Sequence, residues 1–386
     1  MSMMQHYRGM LAQEKRIEAF RRAIHAVVRP GDRVLEVGTG LGTFAFFAAD
    51  AGAGRVWAVD GTPIVHVAKA IGVVNGYADR IEFLRGWIPR LTIPERCDVV
   101  IFEDFAPRLL DAGNVRLLET LLRDYAVGEV RTVPCRARLM LAPIRSDRVR
   151  RAVLSFADLD TEVVYGIDWS PSREYAVNAP VSVDMVSDDL VADPVALGEV
   201  RFDRAPDPRA ALHGTAEWRM DRAGSIDGLA LWFDLELAPG EWLSNAPGAE
   251  PGSWGNTVLM ADPPLSVGVG EVLRASVGSS ASDDGTPGWL AWSLEAGGRT
   301  VQGNEFAAAP ASLHDLAGLS PDAVPRLGRH GALECDVLSL TDGARTMGEI
   351  AEALRGAHPE LSSELAQREV LAALQGRVET SIANKV

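Results

Sequence analysis

The sequence predicts an α/β domain built on a parallel sheet, then an antiparallel β-barrel domain, then a small helical domain at the C-terminus. Three observations carry this. Helix-like and strand-like segments alternate over residues 10–150, as they do where crossover helices join parallel strands. From about residue 150 the segments become short and alternating and are punctuated by Pro and Gly, the pattern of barrels and sandwiches. After residue 330 helical periodicity returns.

Each element has its own local reason. Ile17, Phe20, Ile24, Val27 and Val28 recur at helical spacing, and Pro30-Gly31 ends that helix. Strands are expected at 33–37, 55–60, 81–84 and 98–102, with helices at 43–51 and 64–75 between them. Gly52 stands where a helix C-terminus favours glycine. Barrel strands are expected at 229–237, 256–260 and 288–294, with a flexible loop at 279–288 (SSASDDGTPG). The resulting boundaries are 1–145 for the α/β domain, 146–304 for the barrel, 305–330 for a Pro-containing linker and 331–386 for the last domain.

With 386 residues the chain is too long for one ordinary core, and its 47% hydrophobic and 24% charged residues are those of a globular protein. No apolar run approaches the roughly 18 residues of a membrane span, and Met1–Arg8 lacks the apolar core of a secretory signal. Cys97, Cys135 and Cys335 are odd in number and far apart, which suits a reducing cytoplasm and gives no metal cluster. The net charge of −15 argues against nucleic acid, whose phosphates call for a basic footprint.

The richest stretch is Val34-Leu-Glu-Val-Gly-Thr-Gly-Leu-Gly42, a strand running into a glycine-rich turn and then a helix. Such a turn lets the backbone approach a ligand closely. Glu36 at the strand end would repel a pyrophosphate but suits the ammonium of an amino-acid moiety. Asp60, which ends the next strand, can accept both hydroxyls of a ribose. Together they point to a nucleoside cofactor without phosphates.

These residues resemble the class I methyltransferases, and the chain is similar to the protein arginine methyltransferases in particular. Met10-Leu11 with Arg16 looks like that family's N-terminal helix, and Asp79-Arg-Ile-Glu-Phe-Leu-Arg-Gly86 like its third strand and the turn beside the adenine. Tyr165-Gly-Ile-Asp-Trp-Ser170, Asn178–Asp184 and Leu190–Leu197 resemble the segment around its helical dimerisation arm, here about 168–189. Leu231-Trp-Phe-Asp-Leu-Glu236 and Gly252-Ser-Trp-Gly-Asn-Thr-Val258 resemble a barrel strand and its following loop. The likeness covers about residues 7–300 and implies S-adenosyl-L-methionine as cofactor and a homodimer. The cofactor site it implies is Arg16, Glu36, Gly38, Thr39, Gly40, Gly42, Asp60, Gly61, Gly86, Trp87 and Glu103, with Arg16 at the cofactor carboxylate. Trp87 either stacks on the adenine or packs.

The acceptor side departs from the family. Its first loop glutamate is present as Glu103, but the second falls at Ala112, beside Asp111, and the loop between reads Phe105-Ala-Pro-Arg108. The barrel loop keeps only Trp254 after Gly252-Ser253. The expected catalytic set is Glu103, Asp104, Asp111 and Trp254. A guanidinium fork is best gripped by two carboxylates, so the expected acceptor is an amine rather than arginine. Otherwise Glu103 caps the loop or pairs with Arg108, and activity is lost.

Residues 331–386 lie outside this plan. Cys335–Gly343, Arg345–Leu354 and 364–379 read as three helices, the last with Leu365, Val370, Leu371, Leu374 and Val378 near one face. The pattern resembles PqqD-like winged-helix modules, which bind leader peptides by adding them to a sheet edge. The function expected from these parts is N-methylation of an amine on a ribosomally made peptide, of the daptide kind. Protein arginine N-methylation and an inactive peptide-binding scaffold are the alternatives.

Overall fold

The computed structural model describes residues 3–105, 108–109, 112–154, 165–204, 213–249, 254–281, 287–309, 322–374 and 378. It divides into two compact units, Met1–Pro310 and Ala311–Val386.

The first unit opens with helices α1 (Met3–Leu11) and α2 (Glu14–Val27) and a parallel sheet of β1 (Arg33–Val37), β2 (Arg55–Asp60), β3 (Ile81–Arg85), β4 (Cys97–Phe102) and β5 (Ala126–Val133). The order is β3-β2-β1-β4-β5. Strands such as Arg55–Asp60 are buried on both faces, as parallel strands between helical layers must be. The helices are α2, α3 (Thr43–Asp50), α4 (Ile64–Val74) and α5 (Ala112–Thr120). Phe20, Ala23, Ile24 and Val27 form the buried stripe of α2, and Phe20 stacks on Phe44 of α3 at 4.5 Å. β1 has β2 on one side and β4 on the other, so the chain reverses its direction of sheet growth there and opens a crevice beyond the strand ends. These elements match the predicted ones to within about a residue at most ends.

The barrel-like domain has two antiparallel sheets. One runs β7 (Val181–Val183), β12 (Asn256–Val267), β10 (Gly224–Ala238), β6 (Arg136–Ile144) and β8 (Val195–Arg201), with β11 (Glu241–Ser244) added to β10. The other runs β15 (Arg299–Asn304), β14 (Pro287–Ala296), β13 (Val272–Ala281) and β9 (His213–Arg219). Because β6 pairs with β10 from Arg136 to Ile144, the barrel begins before residue 146, where the sequence placed the boundary. At the edges of the expected loop Ser279 pairs with Leu290 and Ala281 with Pro287, while residues 282–286 lie outside the described residues.

Between β6 and β7 lie α6 (Asp147–Leu154) and α7 (Arg173–Asn178). The expected dimerisation arm is fastened to its own barrel in its described part. Arg173 meets Asp262 through two bonds of 2.8 Å, and the Asn178 side chain accepts the Asn304 N–H at 2.8 Å. Of its apolar residues, Val177 packs on the barrel core, Trp169 is half-buried and Tyr175 is exposed. The first residues assigned to the linker, Glu305–Ala308, are a 3-10 turn belonging to the barrel, while 310–321 lie outside the described residues.

The second unit is three helices, α8 (Arg329–Leu340), α9 (Met347–Ala357) and α10 (Ser363–Leu374). The Thr346 hydroxyl accepts the Glu349 N–H while the Glu349 carboxylate accepts the Thr346 N–H, a reciprocal cap that starts α9. Its core joins Leu333, Val337, Ile350, Leu354, Leu361 and Val370. Of the predicted apolar face, Val370 and Leu374 are buried, with Ala366 and Ala373 beside them, and Val378 packs on the same core. Leu365 and Leu371 are exposed, each one residue off that stripe. Among the described residues of this unit there is no strand, so the winged-helix expectation lacks the sheet edge on which leader capture would rest. Among the described residues of the chain, no helix is long and apolar enough to cross a membrane.

Candidate active site

The carboxyl ends of β1, β2 and β4 face one cleft of about 660 Å³, closed from above by Tyr7 and Met10 of α1 and from the barrel side by Trp254. Its cofactor half is built from short-range contacts. The N–H groups of Gly38 and Thr39 donate to the Val59 carbonyl at 2.9 and 3.0 Å, tying the glycine turn to the end of β2. Asp60 then accepts the Gly40 N–H at 2.9 Å on one oxygen, and the Thr62 N–H and hydroxyl at 2.8 and 2.7 Å on the other. Gly40 has a φ of +55° and lies under Tyr7, whose ring atom Cε1 would stand 2.8 Å from an added Cβ. Burial and the negative charge of Asp60 push the Tyr7 phenol up from its ordinary value. Gly61 lies directly against the Trp87 indole, leaving no space there for a Cβ. Trp87 is nevertheless 65% exposed, so it rests on the backbone at the rim.

Glu36 is buried at the floor of the cleft and accepts the Thr39 hydroxyl. Burial pushes its carboxyl up to about 8; Asp60 and Glu103 add to this, and the Thr39 and Ala45 hydrogen bonds oppose it. A buried acid without a cationic partner keeps its proton, and an arriving ammonium supplies the partner that lets it ionise. Together the glycine turn, the ribose-height carboxylate of Asp60 and this waiting acid fit a nucleoside joined to an amino acid.

The acceptor half is built across long sequence distances. Arg16 of α2 donates to Glu103, just past β4, through Nε at 3.2 Å and Nη2 at 2.6 Å, with side chains 6% and 16% exposed. Burial raises the Glu103 carboxyl and the Arg16 guanidinium pulls the other way, with Asp104 raising it further. The Arg16 guanidinium also lies 5.6 Å from the Trp254 ring centre and 5.7 Å from that of Phe44. Trp254 meets Phe233 of β10 edge-on at 5.2 Å, which fixes the indole to the barrel. Asp104 lines the cleft beside Glu103, its backbone carbonyl taking a hydrogen bond from the Asn114 amide at 2.5 Å.

The cleft therefore gathers Arg16, Glu36, Gly38, Thr39, Gly40, Asp60, Gly61, Gly86, Trp87, Glu103, Asp104 and Trp254. Gly42 is not among its walls; it caps α3 with a φ of +87°, packed under Phe46 and Phe83. Asp111, Gly252 and Ser253 lie outside the described residues, as does the side chain of Ala112. The suggested partner of Glu103, Arg108, is engaged elsewhere, with Glu305. Sequence reading missed Thr62 and Tyr7. A Thr two residues after a strand-ending Asp is a recognisable local turn signal, whereas nothing local marks Tyr7 as the roof.

Residues 135–286 match the arginine methyltransferase oligomerization subdomain. Protein arginine N-methyltransferase 6 of Xenopus laevis is 27% identical over 293 residues, covering 71% of this chain and 83% of that protein. Protein arginine N-methyltransferase PRMT10 of Oryza sativa subsp. japonica is 26% identical, covering 71% and 80%. Among solved structures, the Trypanosoma brucei PRMT1 enzyme-prozyme heterotetrameric complex with AdoHcy superposes with a TM-score of 0.67 at 21% identity, covering 76% of this chain and 96% of that one. Arabidopsis thaliana protein arginine methyltransferase 10 gives 0.63 at 21% identity, covering 78% and 97%. These relatives overturn the expectation of a peptide-tailoring enzyme with a non-arginine acceptor, since each is an arginine methyltransferase by name. That expectation leaned on a missing second glutamate, and a carboxylate neighbour to Glu103 is present in the cleft as Asp104. The chain is a methyltransferase similar to the protein arginine methyltransferases, and its residues 135–286 match their oligomerization subdomain.

Proposed function

We propose that this chain is a protein arginine N-methyltransferase that uses S-adenosyl-L-methionine. The observation that supports it best is the meeting of Glu103 and Trp254 in the cleft that also holds the glycine turn and Asp60. Asp60 would take the ribose hydroxyls and Glu36 the ammonium of the cofactor. Arg16, with its Nε and Nη2 edge on Glu103 and Nη1 outside that contact, would reach the cofactor carboxylate. The cofactor supplies an electrophilic methyl group. Glu103 grips the substrate guanidinium and lowers its freedom, Asp104 adds negative charge on the same side, and Trp254 walls the site against water. The nitrogen that takes the methyl group would shed a proton, which the Glu103 carboxylate lining the cleft could take up.

The working form in this reading is a homodimer in the cytoplasm, supported by the oligomerization subdomain and by free thiols at Cys97, Cys135 and Cys335. The helical C-terminal unit, with its own core and exposed Leu338, Leu365 and Leu371, is read as a contact for the protein substrate. The test is incubation with arginine-rich peptides and the cofactor, followed by fragment-level mass spectrometry. Methyl groups on arginine side chains support the reading; methylation confined to lysine or a terminal amine would reject it.

A further inference from the structure

The segment after Glu103 carries a second ion pair that the cleft chemistry does not use. Arg108 Nη1 donates to both oxygens of Glu305, at 2.8 and 3.0 Å, and the side chains are 24% and 18% exposed. Glu305 begins the 3-10 turn after β15, and its Oε2 also accepts the Leu290 N–H of β14 at 2.9 Å. It is thus a fixed post on the barrel rather than a swinging side chain. The neighbouring residue, Leu109, is fully buried with a φ of +73°, a conformation that costs a branched side chain about 1 kcal/mol or more unless its surroundings hold it. Upstream, Phe105 packs edge-on against Phe102 at 4.8 Å, and Asn114 of α5 ties back to the Asp104 carbonyl. The loop bearing Glu103 and Asp104 is therefore tied to the α/β domain at Phe105 and Asn114, and it meets the barrel in two ways: the Phe105 ring lies 5.4 Å from Phe202 and 6.1 Å from Phe233, and Arg108 forms the ion pair at the barrel edge. On that edge Asn304 N–H donates to Asn178 of α7, the helix in the expected arm.

We propose that Arg108 and Glu305 are positioning residues for methyl transfer, holding the acceptor loop against the barrel so that Glu103 and Trp254 keep their spacing. The inference rests on the arginine methyltransferase reading for its reaction. Neither residue lines the cleft, so their loss should leave cofactor binding unchanged while acceptor turnover falls. A misplacement on the order of 1 Å in such a site can cost up to about a hundredfold in rate. Both contacts come from one nitrogen, so a lysine ammonium can replace the guanidinium here, which a fork-shaped pair would not allow.

The experiment compares wild type, Arg108→Met, Glu305→Gln and Arg108→Lys. Hydrogen–deuterium exchange over residues 103–118 is read first, because it does not depend on turnover. The tether predicts faster exchange in Arg108→Met and Glu305→Gln alike and near wild-type exchange in Arg108→Lys. Steady-state methylation of an arginine peptide should then show kcat lowered on the order of tenfold to a hundredfold in the first two, with cofactor Kd unchanged and Arg108→Lys restored. Unchanged exchange overturns the tether, and changed exchange with unchanged kcat overturns its role in positioning. If wild type methylates no arginine while exchange behaves as expected, the functional reading fails and the tether stands.

Discussion

At the cofactor edge of the cleft, Asp60 is held by Thr62 and Gly40, 2 and 20 residues away in sequence. At the acceptor edge, Glu103 is held by Arg16 from 87 residues away, and Arg108 by Glu305 from 197. Both edges sit at the ends of parallel strands in one sheet, but one is specified locally and the other by elements far apart in the chain, within the α/β domain for Arg16 and across to the barrel for Arg108. A locally built site survives wherever its strand–turn–helix unit folds. A site assembled over long range depends on every element that sets the domain spacing, and its partners can change without disturbing the fold.

The comparison is broken most sharply at Asp60. Asp60→Ala removes the acceptor of three hydrogen bonds and, in the proposed reading, the partner of the ribose hydroxyls. Charged hydrogen bonds contribute about 1.5–3 kcal/mol, so cofactor affinity should fall roughly tenfold to a hundredfold by calorimetry. An unchanged affinity would mean that the ribose is held elsewhere.

Gly40→Ala comes next. It sets a side chain in a left-handed conformation and drives its Cβ into Tyr7. Together these should weaken cofactor binding about tenfold, at a strain of roughly 1–2 kcal/mol, while the acceptor edge keeps its geometry. If Tyr7→Ala restored full affinity to Gly40→Ala, the clash and not the backbone would be the cause.

Glu36, at the floor of the same edge, adds a pH dependence. Its carboxyl is raised to about 8 in the folded chain by burial, so between the ordinary carboxylate range and about pH 8 the folded state binds a proton that the unfolded state has released. Its contribution to stability is therefore present at low pH and is lost as pH rises through that window. Denaturant titrations of the cofactor-free protein should give a steeper loss from about pH 5 to about pH 8 for wild type than for Glu36→Gln. Equal slopes in the two proteins would contradict the buried, protonated state.

The same contrast explains what could be read in the sequence. Buried strands such as Val34–Val37 and Val56–Asp60, the glycine turn and the strand-ending acid announce themselves over a dozen residues, because their causes are local. Glu103 and Trp254 were identifiable only by resemblance, and their meeting across the cleft depends on the barrel's register on the sheet. Arg16 was read as a cofactor ligand, and no spacing pointed to its bond with Glu103. In the tail, helical periodicity located the elements but misassigned Leu365 and Leu371, because the stripe that faces the core runs through Ala366, Val370, Ala373 and Leu374. Within the arm expected at about 168–189, Arg173 and Asn178 are held by Asp262 and Asn304, far along the chain, which no local pattern announces.

The central claim is that Glu103 grips an arginine guanidinium in this cleft. It is tested most directly by single-turnover transfer from pre-bound cofactor to an arginine peptide, comparing wild type with Glu103→Gln and locating the product by mass spectrometry. The account predicts a methyl group on the arginine side chain with wild type, a rate lower by on the order of a hundredfold with Glu103→Gln, and cofactor affinity within a few-fold of wild type. Arginine methylation by Glu103→Gln at the wild-type rate would contradict it.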